Sequence, residues 1–300
     1  MNEDGWHWRR LLLAPHRLGF FLAMVVLAAS AVWWAAVQWS RLGWLPPIGF
    51  ALSPTLLHSA VMVFGFIPLF FAGFLFTAGP RWLGVEGPSA GAIAPMLLAQ
   101  AAGWLLWLAG GHLSETLAIT GLLLAGGGLA AVALKFLALV RASDAPDKVH
   151  AICVMAALAF GCLCLLSLPV AVLAESRAMQ DGLVLGGVAQ LAAAFQGEPV
   201  LPLGALHAVT MGCLGSLMLA MVTRVSCGHS GRPLVAGPFI WTLFLSLQAA
   251  TVLRIAATAA GSSAQPLLAG AALLWAGVML AWAVRHANWY GQLRLDRRPG

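Results

Sequence analysis

Leu206 to Arg232 reads LHAVTMGCLGSLMLAMVTRVSCGHSGR. As far as Val222 its only titratable side chains are those of His207 and Cys213. It then closes on a polar, basic exit of Thr223, Arg224, Ser226, Gly228, His229, Gly231 and Arg232. A helix needs about 20 mainly apolar residues to cross roughly 30 Å of hydrocarbon. With the few apolar residues before it, the stretch is read as one membrane crossing, 203–223, that ends at a basic surface. An imidazole inside such a helix is costly without a partner, which makes His207 a functional candidate.

The rest of the chain fits that reading. Its 300 residues are 61% hydrophobic and 9% charged, where a soluble domain carries about 25% charged residues. The mean hydropathy is +0.90. An ordinary soluble domain is excluded, and the formal charge of +6 bears on membrane topology rather than on nucleic-acid binding. The expected fold is all-α, a polytopic membrane helix bundle forming a single transmembrane domain over 1–300. Eight runs qualify as spans, at about 18–40, 55–79, 92–110, 116–140, 150–173, 203–223, 238–260 and 266–286. Pro46-Pro47, Gly79-Pro80 and Gly237-Pro238 separate them with helix-ending chemistry. A shorter apolar piece at 182–196 reads as an interfacial or re-entrant helix. No cleavable signal is expected, and none of the five cysteines lies where a disulfide is expected.

Charge orients the bundle. With the N-terminus inside, Arg9, Arg10, Arg17, Arg81, Arg141, Lys148, Arg224, Arg232, Arg285, Arg294, Arg297 and Arg298 gather on the cytoplasmic side. Arg41 and Arg177 are left outside. That bias follows the positive-inside rule with an even number of spans, so both termini are expected in the cytoplasm.

The same topology sorts the eight histidines by depth. His7, His16, His150, His229 and His286 fall on the inner side, and His112 in an outer turn. His58 and His207 each lie about one turn inside the outer end of a span. Two level imidazoles on different helices are what bis-histidine ligation of a haem iron requires. Each ring bonding a nearby carbonyl and packing is the simpler alternative. Gly65 and Gly215 lie about two turns below the two histidines on roughly the same faces, where a macrocycle edge could pass or helices could approach closely. Ser59 and Thr210 are candidates to orient a ring nitrogen. Arg254 is an intramembrane cation, and no Asp or Glu occurs in any of the eight runs. Haem propionates would meet its need for an anion, and snorkelling to headgroups is the alternative. On the inner side Cys227-Gly228-His229 offers a sulfur and an imidazole, ligand types that suit copper, although Cys-x-His alone is a weak signal.

Several of these residues also carry a family resemblance. The stretch Leu206 to Arg232 resembles the signature of the NnrS family, with His207, Gly212, Gly215, Thr223, Arg224, Ser226, Gly228, His229, Gly231 and Arg232 in matching places. A second block, His58 to Phe66 followed by Ala72-Gly73-Phe74-Leu75-Phe76-Thr77-Ala78, resembles the family's early HxHEMxFGF…AGFLxTA pattern. Two positions depart from it: Ala60 stands at the second histidine and Val61 at the glutamate. The chain is also shorter than is usual for the family.

The resemblance implies a bacterial inner-membrane protein that binds haem, expected to be of b type. It strengthens the expectation from depth that His58 and His207 are the ligands, with Arg254, Gly65 and Gly215 placed around the haem by spacing. It also implies copper, for which Cys227 and His229 are the remaining candidates here. The implied role is a response to nitric oxide, through binding of a small diatomic gas or electron exchange with a redox partner, in the lipid bilayer and without nucleic acid. A small-solute or metal transporter without haem is the other reading, with helices interrupted at Pro68 and Pro169 supplying ion sites. The topology is testable directly: reporter fusions after Gly111 and Gly261 should behave as external, and fusions after Arg141 and Arg232 as internal.

Overall fold

Hydrocarbon offers the backbone no hydrogen-bond partners, so a chain this apolar satisfies its N–H and C=O groups within helices. The computed structural model describes residues 5–177, 179–180, 183–184 and 201–295. Among them there is no strand, and eight helices are long and apolar enough to cross a membrane. In chain order, spans one to eight are Pro15–Arg41, Pro54–Leu83, Ala90–Leu113, Glu115–Ala142, Val149–Leu173, Leu203–Ser230, Pro238–Ala256 and Gly261–Tyr290. The all-α bundle expected from hydropathy is what forms. The interfacial helix expected at 182–196 lies outside the described residues, apart from Leu183 and Val184.

Local chemistry sets the ends. Ser89 and Ser114 cap spans three and four by accepting from the Ala92 and Leu117 N–H groups, which satisfies donors that a helix start leaves unpaired. Span six runs on to Ser230, beyond the apolar run. Its last turn closes on Gly231, held at φ 70°, a left-handed conformation that favours glycine.

Two departures from regular helix matter. Span two is not continuous: it ends at Phe64 and restarts at Ile67. Pro68 lacks the N–H that would bond the Phe64 carbonyl, and its ring would crowd that carbonyl. Gly65 fits the break because a Cβ there would run into the carbonyl oxygen of Val61. In span six, Ala208–Leu214 forms a π-helical turn directly after His207, a feature found mostly as single turns and frequently at functional sites.

Small residues hold the bundle together. A Cβ on Gly103 would sit 2.5 Å from the Ala125 nitrogen, and one on Gly121 would sit 2.5 Å from the Trp107 nitrogen. Spans three and four thus meet backbone to backbone, as membrane helices do where apolar burial supplies no drive. Of the glycine triplet in span four, Gly126 meets Leu166 of span five and Gly128 meets the Met96 carbonyl, while Gly127 faces open space. Span one lies between spans two, three and eight, and Gly19 and Gly73 bring it against span two. Spans five, six and seven are much less buried than the others.

The first and last described segments meet at one end of the bundle. The Trp6 indole donates to the Ala287 carbonyl at 3.1 Å, and the His7 N–H to the Gly291 carbonyl at 2.9 Å. Arg17, 3% exposed, donates to the carbonyls of Tyr290 and Gln292 at 3.2 and 2.7 Å. The terminal end and the far end are named from this arrangement.

The glycine contacts give a stability prediction. Gly121→Ala should cost about 2 kcal/mol, because the added methyl meets backbone that must shift. Gly127→Ala, in open space, should leave stability unchanged or slightly raised. Thermal unfolding of both variants in detergent checks the contrast.

Candidate functional site

At the far end, His58 projects from the first half of span two against span one. Its ring lies parallel to Trp34, with centroids 3.9 Å apart and planes 11° from each other. Its Nδ1 is buried without a hydrogen-bond partner among the described residues. His207 is oriented differently. Its Nδ1 lies 2.8 Å from the Leu203 carbonyl one turn back, so this nitrogen carries the proton and Nε2 keeps its lone pair. A metal-ligating histidine is held in that way.

His58 lies within electrostatic reach of His207, Arg254 and Arg41, and Arg254 within reach of His207. The tertiary structure therefore gathers both histidines and two arginines from four spans at one end. The Arg41 guanidinium also lies 5.6 Å from the centroid of the Trp34 ring. Arg254 has no hydrogen-bond, ion-pair or ring partner among the described residues.

Other residues of the expected site are used locally. Ser59 donates to the Leu56 carbonyl at 3.2 Å, and Thr210 to the Leu206 carbonyl at 2.8 Å. Both hydroxyls thus bond back along their own helices and do not orient an imidazole. Gly65 sits in the break of span two. Gly215 packs in ordinary contact with Trp275 and Leu247, and the π turn above it shifts the α-helical register that links it to His207.

His112 is a structural histidine. It accepts from the Trp33 indole at Nε2, 2.7 Å away, and its Nδ1 lies 2.8 Å from the Gly49 carbonyl. With its acceptor nitrogen occupied, it has no lone pair to offer.

At the terminal end the signature residues lock span six to span eight. Thr223 accepts from the Trp282 indole at 3.0 Å, Ser226 and the Tyr290 hydroxyl lie 2.7 Å apart, and Arg232 donates to the Gln292 side chain at 3.0 Å. Arg232 also covers the Trp289 ring at 4.5 Å. Burial costs its guanidinium hydration and holds its pKa below the usual arginine value.

His229 meets His16 of span one, with ring centroids 4.0 Å apart, rather than Cys227. Residues two apart on a helix diverge, and Cys227 is buried separately. No group of three His, Cys, Asp or Glu side chains that could hold a metal forms among the described residues. His286 is fully buried, with Nδ1 2.9 Å from the Trp282 carbonyl and Nε2 without a partner among the described residues.

Reading the sequence missed Trp34, and it named His16 only as one of several residues, with His150 and Met221, that could lie near His229. Nothing in the sequence marks Trp34, whose partner arrives from another span. His16 and His229 were accessible by depth matching, since each lies one or two residues inside the terminal end of its helix.

The geometry can be set beside known proteins. A family model described as NnrS protein matches residues 10–188 and 178–294, which takes in the His58 block, the Leu206–Arg232 stretch and the Arg254 span. No curated protein and no solved structure matches the chain. With eight apolar helices and a family match over most of its length, this multi-pass membrane protein belongs to the NnrS family.

Proposed function

We propose that the far end binds one haem through His58 and His207, and that the protein serves the response to nitric oxide in the bacterial inner membrane, termini inward. One observation carries this reading: His207 donates Nδ1–H to a carbonyl and keeps Nε2 free, within electrostatic reach of a second imidazole and of Arg254. Two neutral nitrogen donors and two cations form a donor set that suits an iron porphyrin with anionic propionates. The unpartnered His58 Nδ1 marks a ring whose hydrogen bonding within the protein is incomplete. When bound, haem supplies an iron that takes a diatomic gas or exchanges electrons.

The residues have separate tasks. The Leu203 carbonyl fixes the tautomer and direction of the His207 ring, and Trp34 restrains the plane of His58. Arg254 and Arg41 provide the positive field that a carboxylate needs in a low-dielectric site, where an unpaired charge is costly. The donors do not fit a copper centre in the same way. Ala60 and Val61 offer no ligand beside His58, and Cys227 and His229 point apart. The transporter reading draws support from the broken second span and the π turn, but the interruption expected at Pro169 does not occur, since span five is one helix from Val149 to Leu173. That reading gives no account of the orientation of His207.

A reduced-minus-oxidised spectrum of the purified protein should show low-spin haem. His58→Ala and His207→Ala should each abolish or convert that signal, and His150→Ala, at an exposed site, should retain it. Arg254→Leu should weaken haem retention by about tenfold, a size usual for residues that support a metal site from outside. A well-folded His207→Ala protein with the full low-spin spectrum overturns the assignment.

A further inference from the structure

The terminal end holds a second polar cluster that the haem reading does not use. His16, 2% exposed, packs its ring against His229, with centroids 4.0 Å apart and planes 34° from each other. These two, with Thr77 and Arg81 of span two, line a cavity of about 190 Å³ walled on its apolar side by Phe74 and Val225. Arg17 and Arg294 lie within electrostatic reach of both imidazoles, and Arg81 within reach of His229.

Among the described residues, the charged side chains that reach these two imidazoles are arginines. The carbonyls of Tyr290 and Gln292 hold Arg17 in place, which fixes its charge without neutralising it. Arg81 is exposed at the end of span two and has no hydrogen-bond or ion-pair partner among the described residues. Two rings in van der Waals contact leave no space for an ion between them, and the surrounding guanidinium groups repel a metal cation. An anion is the ligand that this field selects.

We propose that the cavity binds a phosphate-type oxyanion, gripped by the Arg81 guanidinium and the His229 ring in the field of Arg17. A planar guanidinium offers paired N–H donors that match two phosphate oxygens. The Thr77 hydroxyl donates to the Gly73 carbonyl at 2.8 Å and lies 3.5 Å from the His16 Nδ1, so it steadies the wall of the site. The phosphate arrives either on a lipid headgroup, with the apolar wall taking the start of its acyl chains, or as the free ion.

The test uses the full-length protein, stripped of lipid in a neutral detergent. Its unfolding temperature is followed against inorganic phosphate, against dioleoyl phosphatidylglycerol, and against dioleoylglycerol, which has the same tails without phosphate. The expected result is a rise with phosphatidylglycerol or phosphate and none with dioleoylglycerol. A response to the phospholipid alone assigns the headgroup as ligand, and a response to inorganic phosphate assigns the free ion.

Arg81→Gln should weaken the response roughly tenfold, the loss expected for one hydrogen-bonded charge contact, with Arg81→Lys falling between. Arg141→Gln, at an exposed arginine at the same end of the bundle, should respond like the unsubstituted protein. The proposal is overturned by any of three results: no shift with either phosphate probe, an unchanged response in Arg81→Gln, or an equal loss in Arg141→Gln. Haem content is a separate readout, because the oxyanion site shares no residue with the far-end cluster.

Discussion

A polar side chain in hydrocarbon has only the protein to bond with, and most of the architecture follows from how each such group is answered. Where one helix suffices, the group bonds back along it, as Thr210 does with Leu206 and Thr251 with Leu247. Where it does not, the bond ties two spans: the Trp282 indole to Thr223, the Gln248 amide to Ser216, the Gln265 amide to Gln38. The second group supplies directional contacts that fix which helices are neighbours and in what rotation. An apolar surface against lipid cannot do that, since lipid is as good a partner as another helix.

Close approach completes the assembly on one side of the bundle. Spans one to four use glycine to bring backbones together, at Gly19 with Gly73 and at Gly103 with Gly121. Spans six and seven lack such a seam and stay largely exposed to their surroundings. The link of span six to span eight rests instead on Thr223, Ser226 and Arg232 at the terminal end. The family signature therefore has a structural role apart from ligand chemistry, in docking an otherwise lightly held helix. Its far-end member, His207, lies beyond that anchored turn, next to the π turn.

The two ends of the bundle differ in how their histidines are used. His112 has both ring nitrogens engaged, and His207 has one oriented and one free. His58 is stacked but lacks a partner at Nδ1. These are different chemical states imposed on the same side chain by its neighbours. At the far end the free donors sit with Arg254 and Arg41, which suits a metal carrying anionic substituents. At the terminal end His16 and His229 touch each other among arginines, which suits an anion.

Hydropathy and helix-ending residues determined on their own the helix class and the eight spans, because in a bilayer these depend on chain-local transfer energies. The same count of spans sets His58 and His207 at a similar expected depth. The tertiary structure decided what depth alone cannot: that Trp34 lies flat on His58, that His229 faces His16 rather than Cys227, and that Thr223, Ser226 and Arg232 grip span eight. It also decided the π turn at Ala208–Leu214, which displaces the face that a regular helical period assigns to Gly215, whereas the break after Phe64 follows from Pro68 and is legible in the sequence. Rotation about a helix axis and the choice of neighbour are set by packing and by hydrogen bonds between spans distant in sequence, and no single apolar run encodes them.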